Sequence, residues 1–218
     1  MNFKSQSIPH STERNSEKVK GEIKVIFLLP YPIGYGPSQR FRAEIYFGQL
    51  ESNGIRFHFH SFLGEDGYQK LYKAGDLLSK ILAMIKGQLR RLAILQRIRE
   101  YDVVFIQREA SPLGPAIIEW VIAKVLKKPI IYDIDDAIWM PNVAEANARF
   151  HWLKSFRKID KLMSWSRTVI AGNDFLAQRA LMFNRDVIVI PTIVDTVHYH
   201  SLTNHVEDKS LTLGWTGT

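Results

Sequence analysis

Residues Ile23–Arg42 read IKVIFLLPYPIGYGPSQRFR, and this stretch sets the fold. Ile23–Leu29 is an aliphatic, β-branched run of strand length. Pro30–Arg42 then turns through Gly34-Tyr35-Gly36-Pro37 and opens a helical pattern. The same step recurs along the chain. Further strand-like runs are Ile55–His60 (IRFHFH), Val103–Ile106 (VVFI), Pro129–Tyr132 (PIIY), Thr168–Ala171 (TVIA) and Val187–Ile190 (VIVI). Most are continuously apolar, as strands covered on both faces are. Ile55–His60 instead alternates, with His58 and His60 on one face, and fits a sheet edge. Helical patterns fill Gln39–Glu51, closed by Asn53-Gly54, and Pro115–Leu126. Two more occupy Ala148–Trp165 and Asn173–Phe183, the latter opened by Asn173-Asp174 as N-cap and first-turn anion. Strands alternating with helices predict a doubly wound α/β domain with a parallel sheet of six or seven strands.

Composition narrows the function classes. The 218 residues are 46% hydrophobic and 11% aromatic, enough to build a core. With no cysteine, disulfides, thiolate metal sites and a Cys nucleophile are excluded, and a reducing cytoplasm is the expected setting. Residues 1–21 are polar without an apolar segment, so a disordered leader is expected rather than a signal peptide. No apolar run reaches the roughly 18 residues of a membrane-spanning helix. The expected localisation is therefore cytoplasmic, with peripheral contact on the inner membrane face as an extension. The net charge of +7 suits a nucleic acid, an anionic membrane or phosphorylated small molecules. Nucleic acid fits worst, because the aromatics lie in apolar runs and no Gly/aromatic RNA-binding signature occurs.

Leu77–Arg99 (LLSKILAMIKGQLRRLAILQRIR) has a strong helical period. At about 100° per residue, Leu78, Ile81, Leu82, Ile85, Leu89, Leu92 and Leu95 share one arc. Lys80, Lys86, Arg90, Arg91 and Arg97 lie across from it. Two readings follow: a helix packed on the core with a solvated basic back, or a helix lying on an anionic bilayer.

Three segments carry candidate chemistry. In Pro30–Arg42, Gly34 and Gly36 permit close approach of backbone to a ligand, and Arg40 and Arg42 offer charge-assisted contacts to a phosphate. A tight turn with surface arginines is the alternative. The spacing is not G-x-G-x-x-G, so a dinucleotide site is not expected. Asp133, Asp135 and Asp136 follow the Pro129–Tyr132 run, at the carboxyl end of a strand where open α/β sheets place ligands. Such close carboxylates repel unless they meet a cation, hydrogen bonds or a proton. Sugar hydroxyls, acid–base work, a divalent metal and capping by Asp136 all remain open. Gln107-Arg108-Glu109 follows Val103–Ile106 and points at the same cleft, unless Arg108 and Glu109 form only a surface ion pair. Asn173 either caps its helix or joins the site, and Asp195 fixes a turn after Pro191. His58-x-His60 and His198-x-His200 have no third ligand nearby in sequence, so no metal is expected. His10, His151 and His205 form no pattern, and a G-x-S-x-G elbow is missing.

Val189–Tyr199 (VIPTIVDTVHY) followed by Leu211–Thr218 (LTLGWTGT) resembles the interdomain hinge and next strand of GT-B glycosyltransferases. More narrowly it is similar to the retaining group 1, or family 4, type. Ile23–Arg42 resembles that family's first strand and Gly-bearing loop, and Pro129–Trp139 (PIIYDIDDAIW) its acidic acceptor-side turn. Thr168–Ala180 (TVIAGNDFLAQRA) resembles the strand-to-helix step before the hinge.

Beyond the polar leader over 1–21, the resemblance implies a Rossmann-like acceptor-side domain over 22–198. A linker and the first strand of a donor-binding domain would occupy 199–218, with Asn204–Lys209 as the connector. It further implies sugar transfer from a nucleotide-sugar to a carbohydrate or lipid-linked acceptor, with retention and without another cofactor. Asp135 and Asp136 are the implied catalytic positions. Gly34, Gly36, Arg40, Arg42, Arg108, Glu109, Asp133 and Asn173 are the implied substrate contacts. Many relatives place a His-Asp pair at the acidic turn, whereas here no His occurs between Leu63 and Phe150. In a retaining enzyme of this type the leaving phosphate can take the acceptor proton, with the donor-binding half stabilising it. That half, with the family's paired-glutamate motif, is expected outside this sequence, and the chain alone is expected not to turn over. A non-catalytic module completed by a separate polypeptide is the alternative.

Overall fold

The computed structural model of the chain describes residues 22–72, 77–140, 157–194 and 196. The leader, Asp195, the connector, the Leu211–Thr218 strand, and His10, His151, His198, His200 and His205 lie outside those residues.

Among the described residues six strands form one all-parallel sheet in the order β2-β1-β3-β4-β5-β6. They are β1 Lys24–Leu29, β2 Arg56–Ser61, β3 Val103–Gln107, β4 Ile130–Ile134, β5 Thr168–Ala171 and β6 Val187–Val189. Each falls on an apolar run identified in the sequence, and the alternating run is the edge strand β2. The pleat sends successive side chains to opposite faces. On one face Ile26, Leu28, Val104, Ile106, Ile130 and Tyr132 pack in a core cluster with Ile94, Ile118, Leu162 and Leu176. On the other, Phe27, Leu29 and Phe105 pack with Ala43. The Phe27 ring lies 5.2 Å from Phe47, 5.7 Å from Phe57 and 4.7 Å from Phe105. The chain is thus an α/β fold of Rossmann-like type.

The helices are α1 Pro37–Arg42, α2 Phe47–Ser52, α3 Glu65–Tyr72, α4 Leu77–Leu95, α5 Ile117–Trp120, α6 Arg157–Trp165 and α7 Asp174–Leu181. Several differ from the sequence expectation. Gln39–Glu51 is not one helix. It breaks at Ala43 (φ −127°), passes through a 3-10 turn over Glu44–Tyr46 and resumes as α2. The break turns Arg42 toward the sheet and Glu44 back toward the Gly34 loop. In Pro115–Leu126 a single α-turn, α5, runs into a π-turn over Val121–Val125. Of Ala148–Trp165 the described part is α6.

The larger correction concerns α4. Its apolar arc does not pack on the core: Leu78, Ile81, Leu82, Ile85, Leu89 and Leu92 are 44–68% exposed. Of that arc only Leu95 packs against the core. Nor is Arg91 part of a solvated basic back, since it is 0% exposed. The face turned inward carries Gly87, Arg91 and Ile94. Gly87 lies beneath the Phe62 ring, where an added Cβ would come 2.5 Å from a ring carbon. Only glycine lets the helix approach so closely.

Arg91 is held by main-chain oxygens. Its Nε donates to Ala110 O at 2.7 Å, Nη1 to His60 O at 2.5 Å and Nη2 to Leu29 O at 2.6 Å. Nη1 also meets His60 Nδ1 at 2.6 Å. These carbonyls belong to the last residue of β1, to β2 and to the loop after β3. Burial lowers the guanidinium to about 9. Burial, with Arg91 next, lowers the His60 imidazole to about 4. Among the described residues no helix is long and apolar enough to cross a membrane.

Candidate functional site

The strand order reverses between β1 and β3, with β2 on one side and β4–β6 on the other. In open α/β sheets the crevice outside the carboxyl ends at such a point is the ligand position. Here the loop after β1, the turn after β3 and the acidic turn after β4 converge there.

Arg42 and Asp133 form its floor. The Arg42 Nη2–Asp133 Oδ1 distance is 2.5 Å, and Arg42 Nε lies 3.1 and 3.0 Å from the two carboxylate oxygens. The side chains are 2% and 1% exposed. Arg42 Nη1 donates to Ile190 O at 2.6 Å, bonding α1 to the segment just beyond β6. Burial pushes the Asp133 carboxyl up to about 6, against the pull of Arg42. Both expected substrate contacts are therefore engaged with each other.

Asp135 is held differently. Ser38 Oγ, in α1, donates to Asp135 Oδ2, and Gln107 Nε2 donates to Ser38 Oγ at 3.1 Å. Asp135 Oδ1 and Gln107 Oε1 are buried and accept no hydrogen bond from the described residues. A buried acceptor without a donor costs about 1–3 kcal/mol, so a ligand hydroxyl entering here would replace a penalty with a bond. Sequence reasoning missed Ser38. Nothing local marks it, because its partner lies 97 residues away.

The remaining expected residues separate. Exposed Asp136 accepts from Ala137 N through Oδ1 at 2.8 Å, closing the turn, and its other oxygen lies 3.5 Å from Nη2 of half-buried Arg108. Arg108 takes a left-handed φ of 61°, a strained conformation that clusters at functional sites. Its N–H donates to Asp133 O at 3.0 Å, and its carbonyl accepts from buried Tyr132 Oη at 2.8 Å. Glu109 does not pair with Arg108. It meets Lys158 of α6, whose Nζ also donates to Ser111 O at 2.5 Å. Asn173 caps α7, its Oδ1 accepting from Leu176 N at 2.9 Å.

The Gly34 loop does hold an anion, but one of the chain's own. Gly34 N donates to the Glu44 carboxylate at 2.9 Å, and Gln39 Nε2 does so at 2.6 Å. Gly34 has φ 85°, which favours glycine. Gly36 is required by packing, since a Cβ there would come 2.6 Å from the Tyr31 ring. Arg40 points outward over the Phe41 ring at 5.6 Å. Among the described residues no group of three His, Cys, Asp or Glu side chains is placed to hold a metal ion. No protein-family model and no curated protein matches the chain.

Proposed function

We propose that this chain is the acceptor-side domain of a GT-B-type glycosyltransferase that moves a sugar from a nucleotide-sugar to a carbohydrate or lipid-linked acceptor with retention. The observation that carries the reading is the pair of unpartnered buried acceptors, Asp135 Oδ1 and Gln107 Oε1, at the switch point of a parallel sheet. The two side chains are joined through Ser38, and a pair of free acceptors held in one cluster suits the hydroxyls of a sugar ring. Ser38 fixes the second Asp135 oxygen, so the carboxylate orients a hydroxyl rather than swinging free. Asp136 stands at the exposed side with Arg108, toward the incoming donor. Arg42 and Asp133 act as positioning residues beneath them. Retention with a phosphate leaving group needs no strong protein base, which accords with a carboxylate already tied by hydrogen bonds.

Saturation-transfer NMR of the chain against a panel of mono- and disaccharides and lipid-linked saccharides tests the acceptor site. Binding is expected for a subset, reduced at least tenfold by Asp135→Ala and by Gln107→Leu. The domain joined to its donor-binding partner should release nucleoside diphosphate from at least one nucleotide-sugar. If no glycan in the panel binds and no nucleotide-sugar is turned over, the reading fails. Glycan binding without any turnover would instead make the chain a binding module.

A further inference from the structure

We infer that the outer face of α4 is a docking surface for an anionic bilayer. Leu78, Ile81, Leu82, Ile85, Leu89 and Leu92 form a continuous stripe on a helix about 28 Å long, and each is 44–68% exposed. Single exposed leucines are ordinary, but a contiguous stripe of this size marks an interaction surface.

Charge on α4 selects the partner. The helix carries Lys80, Lys86, Arg90 and Arg91 and no acidic residue. Arg91 is turned inward, so it contributes to the fold rather than to the surface. Lys86 and Arg90 are exposed and continue the i, i+4 row that starts at Leu82, so they border the stripe along one flank, while Lys80 shares the inward side of Gly87 and Arg91. An apolar strip bordered by cations with long aliphatic stems is the pattern of a helix lying in the plane of an anionic interface. Lys86 and Arg90 also line a groove shared with Lys70 of α3, where Glu65 and Asp66 contribute the opposite sign. The basic rim is therefore a property of α4 itself.

The test is co-sedimentation of the full chain with vesicles of pure phosphatidylcholine, and with vesicles containing about one-third phosphatidylglycerol. The wild-type chain should sediment with the anionic vesicles and much less with the neutral ones. Raising salt to about 0.5 M should release part of it. Lys86→Gln/Arg90→Gln should weaken the anionic component about 10- to 30-fold. Leu82→Glu/Leu89→Glu should abolish binding while leaving the circular dichroism spectrum and Tm unchanged, since these side chains make no core contact. Absence of vesicle binding overturns the proposal. So does a concentration-dependent dimer dissolved by Leu82→Glu/Leu89→Glu, which would give the stripe to a second copy. A Tm loss of many degrees in that variant would give it to another segment of this chain, with the same consequence.

Discussion

Replacing Arg42 with methionine isolates the buried ion pair beneath the acidic turn. Methionine keeps much of the aliphatic stem and removes the guanidinium. Three consequences follow from the geometry. The Asp133 carboxylate, 1% exposed, loses a partner at 2.5 Å. Ile190 O loses its donor at 2.6 Å. The strand ends of β4 and β6 lose the group that bridges them. Breaking a buried pair by removing one partner costs about 3–5 kcal/mol, and an orphaned carbonyl adds about 1 kcal/mol. The expected loss is about 4–6 kcal/mol, a fall in Tm of about 8–24 °C for a domain of this size. Urea unfolding followed by tryptophan fluorescence measures it. Asp133→Leu alone should cost about 3–5 kcal/mol, because it leaves the cation buried instead. The double variant Arg42→Met/Asp133→Leu should recover most of either loss, since neither charge remains. The deficit of Arg42→Met should also depend on pH. Burial already pushes Asp133 up to about 6 with its partner in place. A carboxyl raised in the folded state gains protons on folding, so the deficit should shrink as pH falls from 8 toward 5. A single-variant loss below about 1 kcal/mol, or losses that simply add in the double variant, would refute the reasoning.

His60 makes the opposite pH contribution, since its folded-state value of about 4 lies below the ordinary 6.5. The unfolded chain binds the proton more readily between those values, so stability is full above 6.5 and declines toward pH 4. With the ring only half-buried, solvent screening leaves about 1–2 kcal/mol. Urea midpoints at pH 7 and pH 4.5 should therefore separate more for the wild type than for His60→Asn; equal separations would exclude His60 as the cause. Gly87→Ala should destabilise by about 1–2 kcal/mol, because the clash with buried Phe62 outweighs the roughly 1 kcal/mol gain in helix propensity. A rise in Tm would show that α4 and Phe62 can separate at little cost.

The strands were legible because burial on both faces demands uninterrupted apolar runs, and β2 declared its edge position by alternating. Asn173-Asp174 announced the cap of α7, since capping is local chemistry that neighbouring residues reveal. What failed was long-range. The period of α4 told which side chains share a face but not which way that face points. Gly87 and Arg91 were the overlooked signs: a mid-helix glycine is unfavourable unless something packs against it, as Phe62 does. The partners of the three aspartates left no mark in the sequence. Arg42, 91 residues before Asp133, gives that one a partner, and Ser38 gives Asp135 another. α3 escaped notice because EDGYQKLY is polar and contains a glycine.

The Arg91 contacts have a consequence for how the domain opens. One guanidinium draws hydrogen-bond acceptors from the ends of two strands and from the loop beyond a third. Releasing any one of these segments would leave part of a buried cation uncompensated, so none of them can fray cheaply on its own. Their slowest-exchanging amides should report one common opening free energy, a cooperative unit that joins α4 to the ends of β1 and β2 and to the loop after β3. Whatever settles on the outer face of α4 therefore presses on a helix bolted to the site.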